Sequence, residues 1–213
     1  MMKRPRVLLA DDHKIVVEGL TKLLAPDCEL VGTVENGREL VQAVKELQPD
    51  VAVVDISMPL LNGIDAVAQL KKAKVKTRII FLTMHPDITY ATRALEVGAS
   101  GYILKQSAPS ELFEAIREVL KGRVYVTPMI AKDLLQSFMQ KSSRSGKLIE
   151  LTARQREVLQ LVAEGHSAKE IASILKISPR TVEFHKHSIA EKLNLDSQAQ
   201  LVQYAIKHGL VSV

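Results

Sequence analysis

The chain has 213 residues, of which 46% are hydrophobic and 25% charged, and its formal net charge is +5. That length holds one large domain or two small ones, and that balance supports a packed core rather than disorder. With 4% aromatic residues and no Trp the chain is a poor platform for stacking on single-stranded nucleic acid. No apolar run reaches the roughly 18 residues a membrane span needs.

The start, MMKRPRVLLADD, carries an apolar run of only four residues. A secretory signal core needs about 7–15, so the stretch reads as the first strand of a domain. The lone Cys28 excludes an internal disulfide and fits a reducing cytoplasm. Further short apolar runs follow at LVGTV (30–34), VAVVD (51–55), RIIFLT (78–83) and GYIL (101–104). Between them the spacing is helical. Ile15, Val16, Leu20, Leu23 and Leu24 share one face, as do Leu40, Val41, Val44 and Leu47, and later Leu112, Ala115, Ile116, Val119 and Leu120. Asn36-Gly37, Pro49-Asp50, Asn62-Gly63, Gly98 and Ala108-Pro109 read as turns. Five strands alternating with five helices predict a doubly wound, five-stranded parallel sheet with helices on both faces. The unbroken apolar third strand belongs at its centre.

From about residue 126 the strands stop. TPMIAKDLLQSFMQ (127–140) reads as a helix opened by Thr127 and Pro128. KSSRSGK (141–147) is polar, small and basic, the composition of a flexible tether. The net charge is +1 over residues 1–125, +3 over 126–148 and +1 over 149–213, so the basic excess sits in the middle. From Leu148 onward every start signal is helical. Thr152 with Gln155 and Ser167 with Glu170 are capping boxes, Ser178-Pro179 is an N-cap with an N1 proline, and Ser197 opens a last helix that ends at Gly209. The expected organisation is a sheet domain over 1–125, a linker helix and tether over 126–147, and a smaller all-α domain over 148–213.

A doubly wound sheet with strand order 2-1-3-4-5 binds ligands between strands 1 and 3, outside their carboxyl ends. Strand 1 runs into Asp11 and Asp12, and strand 3 ends on Asp55. Three carboxylates on one rim repel unless a cation joins them. Hard oxygen donors on an open rim suit Mg²⁺. Strand 4 ends on the hydroxyl of Thr83 and strand 5 on the ammonium of Lys105. Taken singly, these residues have plainer readings: Asp12 serves equally as the N-cap of the first helix. Together they form a phosphoryl-transfer constellation.

ADDH (10–13), VVDISMP (53–59), LTMH (82–85) and GYILK (101–105) resemble the flavodoxin-like receiver domain of bacterial two-component response regulators, in order and over about 120 residues. The resemblance implies that Asp55 accepts a phosphoryl group from a phosphohistidine on a sensor histidine kinase. It implies that Asp11, Asp12, Asp55 and the backbone carbonyl of Ser57 hold Mg²⁺. Thr83 and Lys105 would contact phosphoryl oxygens, and Tyr102 matches the family's aromatic switch. Two positions depart from familiar receivers. Gln106 stands where a proline after a cis bond is frequent, which leaves the isomer of the Lys105–Gln106 bond open. Met84 stands where a small residue is common, and its bulk is expected to shield the acyl phosphate from water. Aspartate-nucleophile phosphatases need a second Asp two positions after the first; here Ser57 occupies that position, so enzymatic turnover of phosphate esters is not expected.

In the last domain, LTARQREVLQLVAEG, SAKEIASILKIS and TVEFHKHSIAEKL resemble the LuxR-type helix-turn-helix output domain of the NarL/FixJ subfamily. The helix-turn-helix runs from Ala168 to His187. Val182, Ile189 and Leu193, with His185 between them, make the packed face of the second helix. Arg180, Glu183, Phe184, Lys186, His187 and Glu191 are on the opposite face, where a recognition helix meets the major groove. Relatives often carry basic residues at the positions of Glu183 and His187, so the match implies the docking mode and not the sequence read. Thr181, Lys169, Lys186 and Lys192 are candidates for phosphate contacts. Gln198, Leu201, Val202 and Tyr204 offer a face for pairing two such domains.

The expected function is a cytoplasmic, phosphorylation-controlled transcription regulator. It accepts phosphate on Asp55, forms a homodimer and binds double-stranded DNA at promoter half-sites, without membrane contact. Until then the receiver is expected to mask the recognition helix. The alternative is a phosphorylation-independent DNA-binding regulator whose receiver-like domain serves protein interactions.

Overall fold

Val51–Val54 (β3) lies in the interior of a parallel sheet, between β1 (Arg6–Ala10) and β4 (Arg78–Thr83). All four of its residues are buried, as expected for a strand covered on both faces. The computed structural model describes residues 4–84, 86–141 and 151–211, which form two compact units. The remaining strands of the first unit are β2 (Glu29–Val34), β5 (Gly101–Leu104) and β6 (Tyr125–Val126), in the order β2-β1-β3-β4-β5-β6. The doubly wound parallel sheet is as expected, with one correction: it has six strands, not five. Tyr125 and Val126 pair in parallel with Gly101 and Tyr102. Two residues are too few for a periodic signal, and only their position beside β5 makes them a strand.

The pleat sorts the core. Val7, Leu9, Val51, Val53, Ile80, Leu82 and Ile103 pack with α1 (Lys14–Leu24) and α5 (Ala108–Leu120). Their neighbours Leu8, Ala52, Val54, Phe81 and Tyr102 are buried with the opposite pleat. There stand α2 (Gly37–Leu47), α3 (Gly63–Lys72) and α4 (Ile88–Glu96). The last helix of the unit, α6 (Pro128–Lys141), packs beside α4, with Ile130 and Leu134 buried. Thr127, at its start, is nearly buried. Its hydroxyl donates to Glu111 Oε2 at 2.8 Å and accepts from the Leu104 N–H at 3.3 Å. The tether at 141–147 lies, beyond Lys141, outside the described residues.

Several local readings change. Asn36 and Asn62, read as turn residues, are N-caps: Asn36 Oδ1 accepts from Glu39 N at 2.9 Å, and Asn62 Oδ1 from Asp65 N at 2.9 Å. His13, not Asp12, is the N-cap residue of α1. Ile15 is 87% exposed, and Leu23 and Leu120 are also exposed, so three residues read as core-facing lie outside the core. On α1 the inner face is instead Val16, Val17, Leu20 and Leu24. No peptide bond among the described residues is cis, so Lys105–Gln106 is trans.

Among the described residues the second unit has four helices, α7 (Ala153–Ala163), α8 (Ala168–Leu175), α9 (Pro179–Leu193) and α10 (Gln198–Lys207). Both expected capping boxes are present, and Ser197 with Gln200 forms a third. Lys176, in the left-handed region at φ 54°, ends α8. Ser178 caps α9 through Thr181 N at 3.1 Å, so three residues make the turn. α7 braces both helices: Arg154 donates to the Leu175 carbonyl at 2.8 Å and Gln155 to Ser188 Oγ at 3.1 Å. Val158, Leu159, Leu161, Ile171, Val182, Ile189, Leu201 and Ala205 are the centre of its core.

Candidate functional site

Three strands deliver the first site. Asp11 stands two residues after Leu9, Asp55 two after Val53 and Lys105 two after Ile103. All three continue the pleat that faces α1 and α5. The register makes Leu9 the partner of Val53, and the Asp55 N–H donates to the Ala10 carbonyl at 2.8 Å. The two carboxylates therefore end side by side. Lys105 reaches over from β5 and places Nζ 2.7 Å from Asp11 Oδ2 and 2.7 Å from Asp55 Oδ2. Asp11 is 3% exposed and Asp55 4%, so this is one ammonium between two nearly buried carboxylates.

Asp12 is more open, and its Oδ1 lies 3.1 Å from His13 Nδ1, the same separation as Asp11 Oδ1. Ser57 sits beside the site with its N–H 3.4 Å from Asp55 Oδ1. Thr83 ends β4 and is fully buried; Met84, the next residue, is 70% exposed. Tyr102 is fully buried on β5, two positions from the Leu104 that precedes Lys105. The structure thus brings Asp11, Asp12, Asp55, Ser57 and Lys105 together, with Thr83 at the same sheet edge.

Below the site, the Gly63 N–H donates to the Ile56 carbonyl at 2.8 Å. A Cβ on Gly63 would collide with the Asp55 carbonyl oxygen. Only glycine lets α3 start this close under the carboxylate.

Burial pushes the Asp55 carboxyl up to about 6, and the Asp11 charge adds to the rise; the charge and hydrogen bond of Lys105, and the Ser57 N–H, oppose it. For Lys105, burial acts downward but is outweighed by the charge of Asp55 and the bonds to Asp11 and Asp55, so its pKa is raised. Tyr102 is raised by burial first and then by the charges of Asp87 and Tyr90. The ligand atoms of Asp11, Asp12, His13 and Asp55 lie within 4.8 Å of one another. This cluster has the chemistry to hold a metal ion, with hard carboxylate oxygens in the majority.

The second surface is α9. Val182 and Ile189 are buried and His185 is half-buried, whereas Arg180, Glu183, Phe184 and His187 are exposed. Lys186 pairs with Glu183 at 3.1 Å and His187 with Glu191 at 3.3 Å. The Thr181 hydroxyl lies 2.8 Å from Ser178 Oγ and belongs to the cap. Lys169 and Lys192 are exposed on α8 and near the end of α9. On α10, Leu201 is 5% exposed within the core. It is withdrawn from the proposed pairing face, because closing a four-helix core consumes that side of the helix. Gln198 is exposed, Val202 is half-buried, and Tyr204 stacks on His208 with ring centroids 4.0 Å apart.

Read from sequence, His13 has no role at the site and Gly63 is only a turn residue shaping the loop after Asp55. His13 was visible as the residue after Asp12, and Gly63 as part of an Asn-Gly pair, but their contacts arise only in three dimensions.

A parallel α/β unit with a carboxylate–lysine cluster at its switch point, and a separate helix-turn-helix unit, define a receiver joined to a DNA-binding output domain. Residues 7–117 match the response regulator receiver domain family and residues 150–205 the luxR family of bacterial regulatory proteins. The oxygen regulatory protein NreC of Staphylococcus carnosus is 37% identical, over 97% of this chain and 99% of its own length. The solved structure of the Salmonella typhimurium RcsB response regulator superposes with a TM-score of 0.66 at 29% identity, covering 97% of this chain and 99% of that one. An RcsB–DNA complex superposes at 0.59 and 29% identity, covering 95% and 98%. The chain belongs to the NarL/FixJ subfamily of two-component response regulators and is a phosphorylation-controlled transcription regulator of the DNA-binding kind. No helix among the described residues is long and apolar enough to cross a membrane.

Proposed function

We propose that Asp55 is the phosphoacceptor through which this regulator is switched. The observation that carries the reading is the sharing of Lys105 by Asp11 and Asp55 at 2.7 Å each. An Asp55 oxygen attacks the phosphorus of a phosphohistidine on a sensor histidine kinase. The P–N bond breaks, and the imidazole leaves with the electron pair and takes up a proton. Asp11, Asp12, Asp55 and the Ser57 carbonyl would hold Mg²⁺, which supplies neutralising charge for the phosphoryl oxygens when bound. Lys105 exchanges one carboxylate for a phosphoryl oxygen, and the Thr83 hydroxyl is drawn toward another. Tyr102, on the strand that leads into Lys105, follows that shift. Met84, exposed and next to Thr83, shields the acyl phosphate from water and slows hydrolysis; a Met84→Ala variant should lose phosphate faster.

The phosphorylated chain pairs through its receiver state and through Gln198, Val202 and Tyr204. It places α9 in the major groove at two half-sites. Arg180, Glu183, Phe184 and His187 meet base edges, while Lys169, Thr181, Lys186 and Lys192 meet phosphates. RcsB, a relative, has been solved with DNA, which supports this mode. The boundaries 1–125, 126–147 and 148–213 serve as receiver, linker and output domain. The protein works in the cytoplasm as a switch and not as an enzyme on external phosphate esters, since Ser57 offers no general acid.

The test is DNA binding with and without a small phosphodonor, for the parent and for Asp55→Asn. Only the phosphorylated parent should gain affinity. Equal binding in all four conditions overturns phosphorylation control.

A further inference from the structure

Thr127 stands where the last rung of the sheet meets the first turn of a helix. β6 pairs in parallel with β5: Tyr125 N donates to the Ser100 carbonyl at 3.0 Å and Thr127 N to the Tyr102 carbonyl at 3.0 Å. In a parallel ladder the next rung runs from the Leu104 N–H to the backbone carbonyl of residue 127. That carbonyl is already committed to α6, where it accepts from Ile130 N at 2.9 Å and Ala131 N at 3.2 Å. The Thr127 hydroxyl fills the rung instead. Its oxygen accepts from Leu104 N at 3.3 Å, and its proton is donated to Glu111 Oε2 at 2.8 Å. Leu104 and Thr127 are each 2% exposed, so water does not stand in for the rung.

We propose that Thr127 is a positioning residue of the switch: it passes a shift at the Lys105 end of β5 to the start of α6, the helix that leads toward the DNA-binding unit. The inference rests on the phosphoacceptor reading of Asp55. Leu104 directly precedes Lys105, whose ammonium exchanges a carboxylate for a phosphoryl oxygen in that reading. When this end of β5 moves, the Leu104 N–H either carries Thr127 with it or loses its acceptor. A buried N–H left unpaired is costly, so Thr127 is carried along. Its carbonyl belongs to the first turn of α6, so that turn follows. Ile130 and Leu134 are buried where α6 packs beside α4, and the helix start responds as part of a packed body rather than as a loose end. Valine at this position keeps the shape and removes the rung, which leaves β5 and α6 free to move apart.

The test follows amide hydrogen exchange in the full-length protein with Mg²⁺, before and after treatment with acetyl phosphate, while mass spectrometry reads phosphate at Asp55. In the parent, phosphorylation should change exchange at Leu104 and at Ile130 and Ala131 together, by about fivefold or more. Thr127→Val should take up phosphate as the parent does and still respond at Leu104, while Ile130 and Ala131 stay within about twofold. Thr127→Ser keeps the hydroxyl and should behave as the parent does. A residue that only holds the fold would alter exchange equally with and without phosphate. A full response of Ile130 and Ala131 in Thr127→Val therefore overturns the proposal, as does a loss in Thr127→Ser equal to that in Thr127→Val. Glu111→Ala removes the acceptor that orients the hydroxyl and should show a partial loss; should Thr127→Val fail to fold, an undiminished response in Glu111→Ala overturns the proposal in its place. If the parent takes up no phosphate at Asp55, the phosphoacceptor reading itself falls, and the Thr127 proposal with it.

Discussion

At the sheet edge of the receiver, Asp11 and Asp55 are 3% and 4% exposed and share one lysine; along α9, Arg180, Glu183, Phe184 and His187 lie in solvent. The first arrangement gathers charge from three strands and removes it from water. The second spreads charge along one helix and leaves it wet. Buried charge is tightly coupled and costly to break, so a single phosphoryl group arriving there has large consequences. Exposed charge is screened and weakly coupled, so each side chain contributes a small, separable increment to DNA contact. A switch needs the first kind of site and a reader needs the second.

Removing the shared cation should give the largest effect. Without divalent ions at neutral pH, Lys105→Met leaves two nearly buried carboxylates without their ammonium and should destabilise the receiver by about 3–5 kcal/mol. Added Mg²⁺ should recover much of that, as urea denaturation with and without the ion will show. A loss under about 1 kcal/mol would mean that the receiver site is as weakly coupled as the surface of α9.

The Asp55 carboxyl comes next. Its pKa is about 6 in the folded chain, against an ordinary value of 3.8. The folded state therefore holds the proton more tightly than the unfolded chain. Stability should fall as pH rises from about 4 through about 6, by about 3 kcal/mol in total. Asp55→Asn should not show this fall. Urea midpoints for parent and variant across that window, without divalent ions, decide the matter.

Gly63→Ala tests the scaffold rather than the charge. Crowding the Asp55 carbonyl should cost about 1–3 kcal/mol and slow phosphate uptake at Asp55. Normal uptake would show that the carboxylate tolerates a shifted loop. On α9 the effect should be smallest. Glu183→Gln releases Lys186 and removes a like charge from the groove. DNA binding should tighten a few-fold, and the salt dependence should steepen by about one unit of slope. A change as large as that of Lys105→Met would end the contrast between the two regions.

The legibility of the two regions differs for the same physical reason. The DNA-binding unit was readable helix by helix, because Thr152, Ser167 and Ser178 cap within three residues of themselves. In the receiver, the strands and the carboxylate–lysine edge were readable because strand ends in a doubly wound sheet converge by rule. The strand at Tyr125–Val126 was not, since its pairing with β5 is its whole reason for existing. Ile15, at 87% exposed, shows the limit of periodicity: an apolar stripe wider than the groove that receives it leaves an edge outside.

By itself the sequence determined the alternation of the first five strands with helices, where the helices of the DNA-binding unit begin, and which carboxylates, hydroxyl and lysine end up on one rim. These follow from periodicity and local hydrogen bonding, which act over a few residues. Only the tertiary structure decided that Lys105 is shared by Asp11 and Asp55, that His13 leans on two carboxylates, that Gly63 lies against the Asp55 carbonyl, and that Leu201 belongs to the core. Each of those depends on ångström-scale distances between atoms, and packing alone sets them.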